Sequence, residues 1–303
     1  MKRTRILITG AGQFSLNWCS LTSNLFENIV VSKTQYTNFP ADKFINSNLN
    51  HLTDLKSILL SLKPDLVINS AAMTDVKKCN LKKNECESIN FKFAVNLANL
   101  SDEYGIKLIQ LSTDNFSSNP NDIRSEKIIP IPENEYGRSK MHADEVISSI
   151  ERHMIIRTNF FGWVPNNRLT SFTDLYFKLT SGQTYHGWNN IFFTPISVVK
   201  LIDIIVNLIK MDYCGIINAS GNDNISKHHF AQVIARKLLI DPDKIIATPF
   251  LPQLGLIRPN YMGLNNLKLQ RLIPNSDFSL DFNVDLILNQ LTNGEYANII
   301  RVV

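Results

Sequence analysis

Two side chains that could move a proton together stand one helical turn apart in the segment EYGRSK. Tyr136 precedes Lys140 by four residues, and this spacing places both on one face of a helix. A free phenol has a pKa of about 10, and a neighbouring ammonium lowers it by favouring the phenolate. We therefore expect Lys140 to lower the pKa of Tyr136, which would then exchange a proton with a substrate. His142 and Asp144 should turn away from the face that carries Tyr136.

Hydroxyl groups that could hold a carbonyl oxygen come from another part of the chain. The apolar segment IKLIQLST is a predicted strand, and it ends in Ser112 and Thr113. Ligands of open parallel sheets bind at the carboxyl ends of the strands. A hydroxyl, a phenol and an ammonium at one site would suit the polarisation and protonation of a carbonyl oxygen.

The segment ITGAGQFS has the glycine spacing of a dinucleotide-binding turn. Gly10 would make the tight turn and Gly12 would let the backbone approach a pyrophosphate. Ser15 stands where a third glycine would permit close packing of helix on strand. We expect Gly10, Gly12, Gln13 and Phe14 to contact the cofactor, although a plain strand-to-helix turn is the alternative.

The end of the next predicted strand bears on which dinucleotide is bound. Ser32 and Lys33 stand where a site for NAD would usually place an acid for the ribose hydroxyls. A lysine suits a 2′-phosphate instead, so NADP (NADPH) is the predicted cofactor rather than NAD. The alternative is that Lys33 is a solvated surface residue.

The elements that must position these residues alternate between strands and helices. The segments RILITG, NIVVS, PDLVINSAA, IKLIQLST and HMIIRT are apolar on both faces, as in a parallel sheet covered by helices on both sides. The predicted fold class is α/β, a Rossmann-type doubly wound parallel sheet with a smaller C-terminal α/β substrate lobe. Residues 1–158 would form the dinucleotide-binding domain, and residues 159–303 mostly the substrate lobe, with some segments returning to the first domain.

Composition excludes several classes of partner. With 44% hydrophobic and 19% charged residues, the 303-residue chain reads as an ordinary globular protein. Its net charge of +4 is spread along the sequence, so we expect no nucleic-acid partner. The four cysteines lack metal spacing and predict reduced thiols in the cytoplasm, without a metal. No apolar run approaches about 18 residues, so no membrane insertion is expected.

Together these motifs resemble the extended short-chain dehydrogenase/reductase family, and within it the dTDP-4-dehydrorhamnose reductase branch. The similarity covers nearly the whole chain. It is carried by VINSAAMTDVKKCN, by SINFKFAVNLANLSDEYGIKLIQLSTDNF, by EYGRSK, by IIRTNFFG and by FTPISVVKLIDII. It implies NAD(P)H-dependent reduction of a nucleotide-linked 4-keto-6-deoxy sugar in surface-polysaccharide synthesis.

The resemblance also implies roles for particular residues. Thr113, Tyr136 and Lys140 would be the catalytic set: Tyr136 protonates the keto oxygen, Thr113 holds it, and Lys140 binds the nicotinamide ribose. Asn90 would support the active-site helix. The cofactor cleft would also be lined by Ala71 and Ala72, and the substrate would contact Thr74, Asp114, Asn159, Phe160 and Arg258.

Departures from the family pattern keep other functions open. The glycine loop is one residue shorter than usual, which leaves a non-catalytic NADP-binding regulatory or scaffold subunit as an alternative. A nucleotide-sugar epimerase or dehydratase is a further alternative, but no acidic partner follows Asp114. Phe160 replaces a tryptophan common in rhamnose-type reductases. The substrate's sugar and base and the oligomeric state are undetermined, and a homodimer is left open.

Overall fold

Seven strands form one parallel sheet in the computed structural model, which describes residues 3–48, 52–116, 124–164, 170–253 and 256–294. The strands are β1 (Thr4–Thr9), β2 (Phe26–Ser32), β3 (Lys43–Asn46), β4 (Leu66–Asn69), β5 (Lys107–Leu111), β6 (Met154–Arg157) and β11 (Gly215–Asn218). Their spatial order is β11-β6-β5-β4-β1-β2-β3. The order reverses between β1 and β4, as in a doubly wound sheet. The predicted fold class is confirmed.

Helices cover both faces of this sheet because successive strand residues point to opposite sides. Ile6 and Ile8 of β1 belong to the larger apolar cluster, whereas Leu7 between them belongs to the second. The larger cluster includes α1 (Gln13–Thr22), α8 (Val198–Lys210) and α11 (Leu280–Thr292). The second includes α2 (Leu52–Leu62), α5 (Phe93–Glu103) and α6 (Glu135–Ser148).

The chain after β6 divides between the central sheet and a separate group of short strand pairs and helices. α8 and β11 return to the central sheet, where β11 pairs with β6. The remaining elements are the strand pairs β7 (Phe160–Phe161) with β10 (Ile196–Ser197), β8 (Tyr185–Trp188) with β13 (Ile245–Thr248), and β9 (Phe192–Phe193) with β12 (Ile225–Ser226), together with α7 (Ser171–Thr180), α9 (Lys227–Lys237), a 3₁₀ turn (Pro242–Lys244) and α10 (Leu267–Leu272). The boundary at residue 158 stays a prediction.

The helical segment between β4 and β5 is irregular. It consists of α4 (Lys83–Glu87), a π-helical turn (Ser88–Lys92) and α5, preceded by the short α3 (Val76–Leu81). Such π-helical turns insert one extra residue per turn and often occur at functional sites. Here the turn carries Asn90, which is buried. α5 is followed by Gly105 at φ +70°, a left-handed conformation that glycine commonly supplies at the end of a helix.

The helix that carries Tyr136 begins at a defined cap. The Asn134 side chain accepts a hydrogen bond from the Gly137 backbone N–H at 2.8 Å, and Glu135 adds an acid to the first turn. The Asn134 amide also donates to the Asn115 side-chain oxygen at 2.6 Å. The start of α6 is therefore tied to the loop that follows β5, which carries Thr113 and Asp114.

Candidate active site

A cavity of about 440 Å³ lies at the carboxyl ends of β1, β2 and β4. This is where a doubly wound sheet binds its ligand, and the volume is that of a small-molecule site. Six of the residues predicted to contact the cofactor line it: Gly10, Gly12, Ser32, Lys33, Ala71 and Ala72. Tyr36, Ser47 and Asn48 line the same cavity, although no sequence motif pointed to them.

The glycine turn has the geometry that a pyrophosphate site requires. Gly10 has φ +82°, and a Cβ there would lie 2.9 Å from the Cα of Ala71, so a side chain would collide with the loop after β4. A Cβ on Gly12 would meet nothing within 4 Å. Because Gly12 caps α1 without any side chain over its first turn, the backbone N–H groups there are open to an anion.

The other two predicted loop contacts direct their side chains elsewhere. The Gln13 amide donates to the Gly162 carbonyl oxygen at 2.6 Å. The Phe14 ring is buried and stacks on Trp18 at a centroid separation of 5.7 Å. Only the backbone of these two residues is therefore placed to meet a cofactor at the start of α1.

Ser15 belongs to a hydrogen-bond network below the glycine turn. Its hydroxyl bonds to the Gly10 carbonyl and lies 2.9 Å from the Ser70 hydroxyl. The Ser70 hydroxyl in turn donates to the Thr9 carbonyl at 2.7 Å. A serine at the packing position thus links α1 to β1 and to the loop after β4.

The predicted catalytic hydroxyls lie next to each other. Hydrogen bonding by Thr113 acts on the Tyr136 phenol and opposes the upward shift in its pKa. Tyr136 packs against the cluster of Met73, Cys79 and Cys86, and Met73 also lines the cavity. Tyr136 therefore stands next to a residue of the cavity wall, although it is not itself one of the residues that line the cavity.

The expected effect of Lys140 on Tyr136 is wrong for this structure. Burial raises the pKa of Tyr136 to about 12, and the groups that lower it are Thr113 and Arg258. The Lys140 ammonium instead donates to the Leu111 carbonyl oxygen at 2.6 Å, and burial lowers the pKa of Lys140 to about 8. The phenol consequently keeps its proton at neutral pH, which suits a proton donor rather than a base.

Asp144 interacts with residues that follow β5 and lie in β6, and its orientation relative to Tyr136 stays a prediction. Asp144 is buried one turn after Lys140, where it accepts from the Ser112 hydroxyl at 2.7 Å and ion-pairs with Arg157 at 3.4 Å. Burial raises the pKa of the Asp144 carboxyl, while Arg157 and Ser112 oppose that shift. In return, the Asp144 charge raises the pKa of Lys140. Four residues of helix bring Lys140 and Asp144 onto one face.

Three of the predicted substrate residues converge beyond Thr113. The Asn159 amide donates to the Asp114 carboxylate at 2.7 Å. Burial raises the pKa of Asp114 to about 6. The charges of Asp114 and Tyr136 both act on the Arg258 guanidinium. Asp114, Asn159 and Arg258 therefore belong to one group of interacting side chains, and the charges of Asp114 and Arg258 also act on the Tyr136 phenol.

The other two predicted substrate residues are less closely tied to this group. Phe160 packs on the main core and makes an edge contact with Phe14 at a centroid distance of 6.3 Å. Thr74 is exposed in the loop after β4, beside Asp75, whose charge acts on Arg258.

Lys227 is a further residue near the site that the sequence did not indicate. It begins α9, and the charges of Asp114 and Arg258 both act on its ammonium. Burial lowers its pKa to about 7. In the sequence it is one lysine in the segment ISKHHF. The one local signal is a cation in the first turn of a helix, where the dipole disfavours positive charge.

Asn90 connects the cavity wall to the active-site helix. Its oxygen accepts from the Met73 backbone N–H at 2.8 Å, and its amide donates to the Ser139 hydroxyl at 3.1 Å. This is the supporting position that the resemblance implied.

Within the described residues, no cluster of three histidine, cysteine or carboxylate side chains is arranged to hold a metal ion. None of the helices described has the length and apolar character needed to cross a bilayer.

Comparison with known proteins gives a consistent family. The sequence model described as RmlD substrate binding domain matches residues 4–290. The dTDP-4-dehydrorhamnose reductase of Salmonella typhimurium is 26% identical over 244 residues, which cover 76% of this chain and 77% of that protein.

Solved structures share the fold over almost the full length. A hypothetical dTDP-4-dehydrorhamnose reductase from Sulfolobus tokodaii superposes with a TM-score of 0.80 at 28% identity, covering 91% of this chain and 98% of that one. The dTDP-4-dehydrorhamnose reductase of Bacillus anthracis, in complex with NADP, gives a TM-score of 0.82 at 20% identity and covers 96% and 100%.

Proposed function

The chain belongs to the RmlD substrate binding domain family, and from this membership we propose that it is an NADPH-dependent reductase of a nucleotide-linked 4-keto-6-deoxy sugar. The curated Salmonella relative is named for such a reaction, and the Bacillus anthracis structure of the same fold contains NADP. The product would be a deoxysugar for surface polysaccharide. A cytoplasmic location and a homodimer accompany this proposal as predictions.

The observation that carries the proposal is the Thr113–Tyr136 contact beside Met73, which lines the cavity of about 440 Å³. The cavity offers what NADPH needs: an open helix N-terminus at Gly12, a close approach of Gly10 to Ala71, and Lys33 at the ribose end. When bound, the nicotinamide would supply the hydride that reduces the ketone.

The chain's own residues would supply the proton and the orientation. Thr113 would donate a hydrogen bond to the ketone oxygen, and Tyr136 would give that oxygen its phenolic proton as the carbon accepts hydride. Because burial holds the pKa of Tyr136 at about 12, the phenol is protonated and ready to donate at neutral pH. Lys140, anchored on the Leu111 carbonyl, would bind the nicotinamide ribose.

The test is oxidation of NADPH by dTDP-4-keto-6-deoxyhexose with the wild type and Tyr136→Phe. Loss of the proton donor should lower kcat by roughly 10²- to 10⁴-fold. NADPH affinity should be retained, because phenylalanine can pack on the same Met73, Cys79 and Cys86 cluster. Equal rates in both proteins would refute Tyr136 as the acid, and an absence of NADPH binding to the wild type would favour the non-catalytic alternative.

A further inference from the structure

Two cysteine thiols are buried side by side next to α6, the helix that carries Tyr136. Cys79 lies in α3 and Cys86 in α4, and both are free thiols. They form one apolar cluster with Met73, against which Ile89 and Tyr136 pack. The two thiols hydrogen-bond to each other, so their sulfur atoms are in contact. Such contact is the first geometric requirement for a disulfide.

The surroundings of the pair make one cysteine a thiolate and the other a proton donor. The Asn90 amide donates to the Cys86 sulfur at 3.3 Å, and the Ser139 hydroxyl lies 3.4 Å from it. Hydrogen bonding from Cys79, above all, lowers the pKa of Cys86 to about 7. Ser139 and Asn90 act in the same direction, whereas burial and the Glu135 charge oppose it. The thiolate is the form of cysteine that attacks an oxidant.

The two short helices that carry the cysteines also hold the first turn of α6. The Asn80 side-chain oxygen in α3 accepts from the Glu135 backbone N–H at 2.8 Å. In α4, the Lys83 ammonium lies 3.1 Å from the Glu135 carboxylate, and the Cys86 sulfur lies 3.8 Å from the Glu135 carbonyl oxygen. Glu135 directly precedes Tyr136. A change in the distance between α3 and α4 would therefore move the backbone that carries Tyr136.

Two features of the fold give a small oxidant access to this buried pair. Lys78, beside Cys79, and Glu85, beside Cys86, both line the cavity of about 440 Å³. On the outer side, α3 has only six residues, and its last residue, Leu81, is 66% exposed. A helix with so few buried residues opens locally at low cost in free energy.

We propose that Cys79 and Cys86 are a reversible oxidation site, at which a hydroperoxide converts the two thiols to a disulfide that displaces the start of α6 and suppresses proton transfer by Tyr136. In a reducing compartment a disulfide of this kind is transient and regulatory. The effect on proton transfer rests on the proposed function, whereas formation of the disulfide does not.

The chemistry balances with hydrogen peroxide as the oxidant. The Cys86 thiolate attacks one peroxide oxygen and becomes a sulfenic acid, and the hydroxide that leaves takes up a proton to become water. The Cys79 thiol then attacks the sulfenic sulfur, the S–S bond forms, and a second water leaves with the Cys79 proton. The two sulfur atoms together lose two electrons, which the peroxide gains. A dithiol reductant reverses the reaction by thiol–disulfide exchange.

Peptide mass spectrometry of the whole chain after peroxide treatment, without cofactor or substrate, tests the disulfide. The wild type should lose two hydrogen atoms and give one peptide pair linked through Cys79 and Cys86, and dithiothreitol should restore both thiols. The exposed Cys214 is the internal reference, so the peroxide dose is raised until Cys214 is modified. Modification of Cys214 without a link between Cys79 and Cys86 would overturn the proposal.

Hydrogen–deuterium exchange tests the displacement of α6 without any turnover. Residues 134–140 should exchange faster in the oxidised wild type than in the reduced protein, and dithiothreitol should restore slow exchange. Equal exchange at these residues, with the disulfide present, would refute the coupling between the cysteine pair and α6.

Oxidation of NADPH by dTDP-4-keto-6-deoxyhexose tests the effect on Tyr136. The oxidised wild type should have a kcat roughly ten- to hundredfold lower, because the proton donor is displaced from the ketone, and dithiothreitol should restore it. Cys86→Ser should keep its own rate after the same treatment, and the control Cys214→Ser should lose activity as the wild type does. Equal kcat in oxidised and reduced wild type would refute the regulatory effect. A wild type that forms the disulfide and changes its exchange, but never oxidises NADPH, would remove the proposed function alone.

Discussion

The hydroxyl oxygens of Ser15 and Ser70 lie 2.9 Å apart, and Ser15 also bonds to the Gly10 carbonyl. This contact gives a physical reason for serine at a position where a dinucleotide turn usually has glycine. The residue adds a Cβ, but its hydroxyl connects the glycine turn to the neighbouring strand end.

Ser15→Ala should therefore lower the free energy of unfolding by about 1–2 kcal/mol, since two partly buried hydrogen-bonding groups, the Gly10 carbonyl and the Ser70 hydroxyl, lose a partner. NADPH should also bind a few-fold more weakly, because the turn that faces it is less firmly held. Urea unfolding and NADPH titration measure the two effects. Ser148→Ala is the control: the exposed Ser148 bonds only to the Glu145 carbonyl of its own helix, and its loss should cost less than about 0.5 kcal/mol.

Two glycines should respond to alanine in opposite ways. A Cβ at Gly137 would lie 2.2 Å from the Asn115 carbonyl oxygen, so Gly137→Ala should cost about 1–3 kcal/mol or more and displace the start of α6. Gly12→Ala meets nothing within 4 Å and should fold normally, yet its methyl group should weaken NADPH binding at the helix N-terminus. Melting temperatures measure the expected loss of stability in Gly137→Ala, and NADPH titration measures the expected loss of affinity in Gly12→Ala. Tight NADPH binding by Gly12→Ala would argue against a pyrophosphate at this turn.

The Asp144–Arg157 pair should be strongly coupled. Its side chains are only 2% and 4% exposed, so Asp144→Asn leaves a buried guanidinium without its counter-charge and should cost about 3–5 kcal/mol. Arg157→Met in the Asp144→Asn background should recover part of the loss. A double-mutant cycle by urea unfolding measures the coupling, and the exposed Arg152–Asp102 pair is the comparison, with an expected coupling below about 1 kcal/mol. Additive losses at Asp144 and Arg157 would contradict the prediction.

His153 should make stability depend on pH in a defined direction. Its Nδ1 accepts from the Leu108 N–H at 3.2 Å and its Nε2 lies 3.0 Å from the Ala98 carbonyl oxygen, so the neutral ring uses both nitrogens. Burial lowers the pKa of His153 below 6.5. The unfolded chain then binds more protons, so the stabilisation is present above about pH 6.5 and is lost as the pH falls towards the folded-state pKa.

Melting curves of wild type and His153→Gln test this dependence. The wild type should be the more stable at about pH 7.5, and its advantage should shrink at about pH 5.5. The raised pKa of Asp114 changes stability in the opposite direction, but it is common to both proteins and cancels in the difference. A difference that does not vary with pH would mean that His153 keeps one protonation state.

Local sequence patterns were sufficient to predict most strands of the central sheet. β1, β2, β4, β5 and β6 were expected where they occur, because continuous apolar runs bounded by turn residues have few other solutions in a chain of this length. β3 was missed, since KFIN is short and partly exposed. The glycine turn, Thr113 and Tyr136 could also be proposed as site residues from the sequence. Their positions at the ends of predicted strands and at the start of a predicted helix are local features of the sequence.

By itself, the amino-acid sequence determined the order of strands and helices and the kinds of reactive groups at their ends, because periodicity and spacing are local properties. The tertiary structure alone decided the surroundings of those groups. Burial raises the pKa of Tyr136. The buried Asp144 acts electrostatically on Lys140, and Lys227 at the start of α9 interacts with Asp114. Charges distant in the sequence act on one another only once folding has removed water and shortened the distance between them.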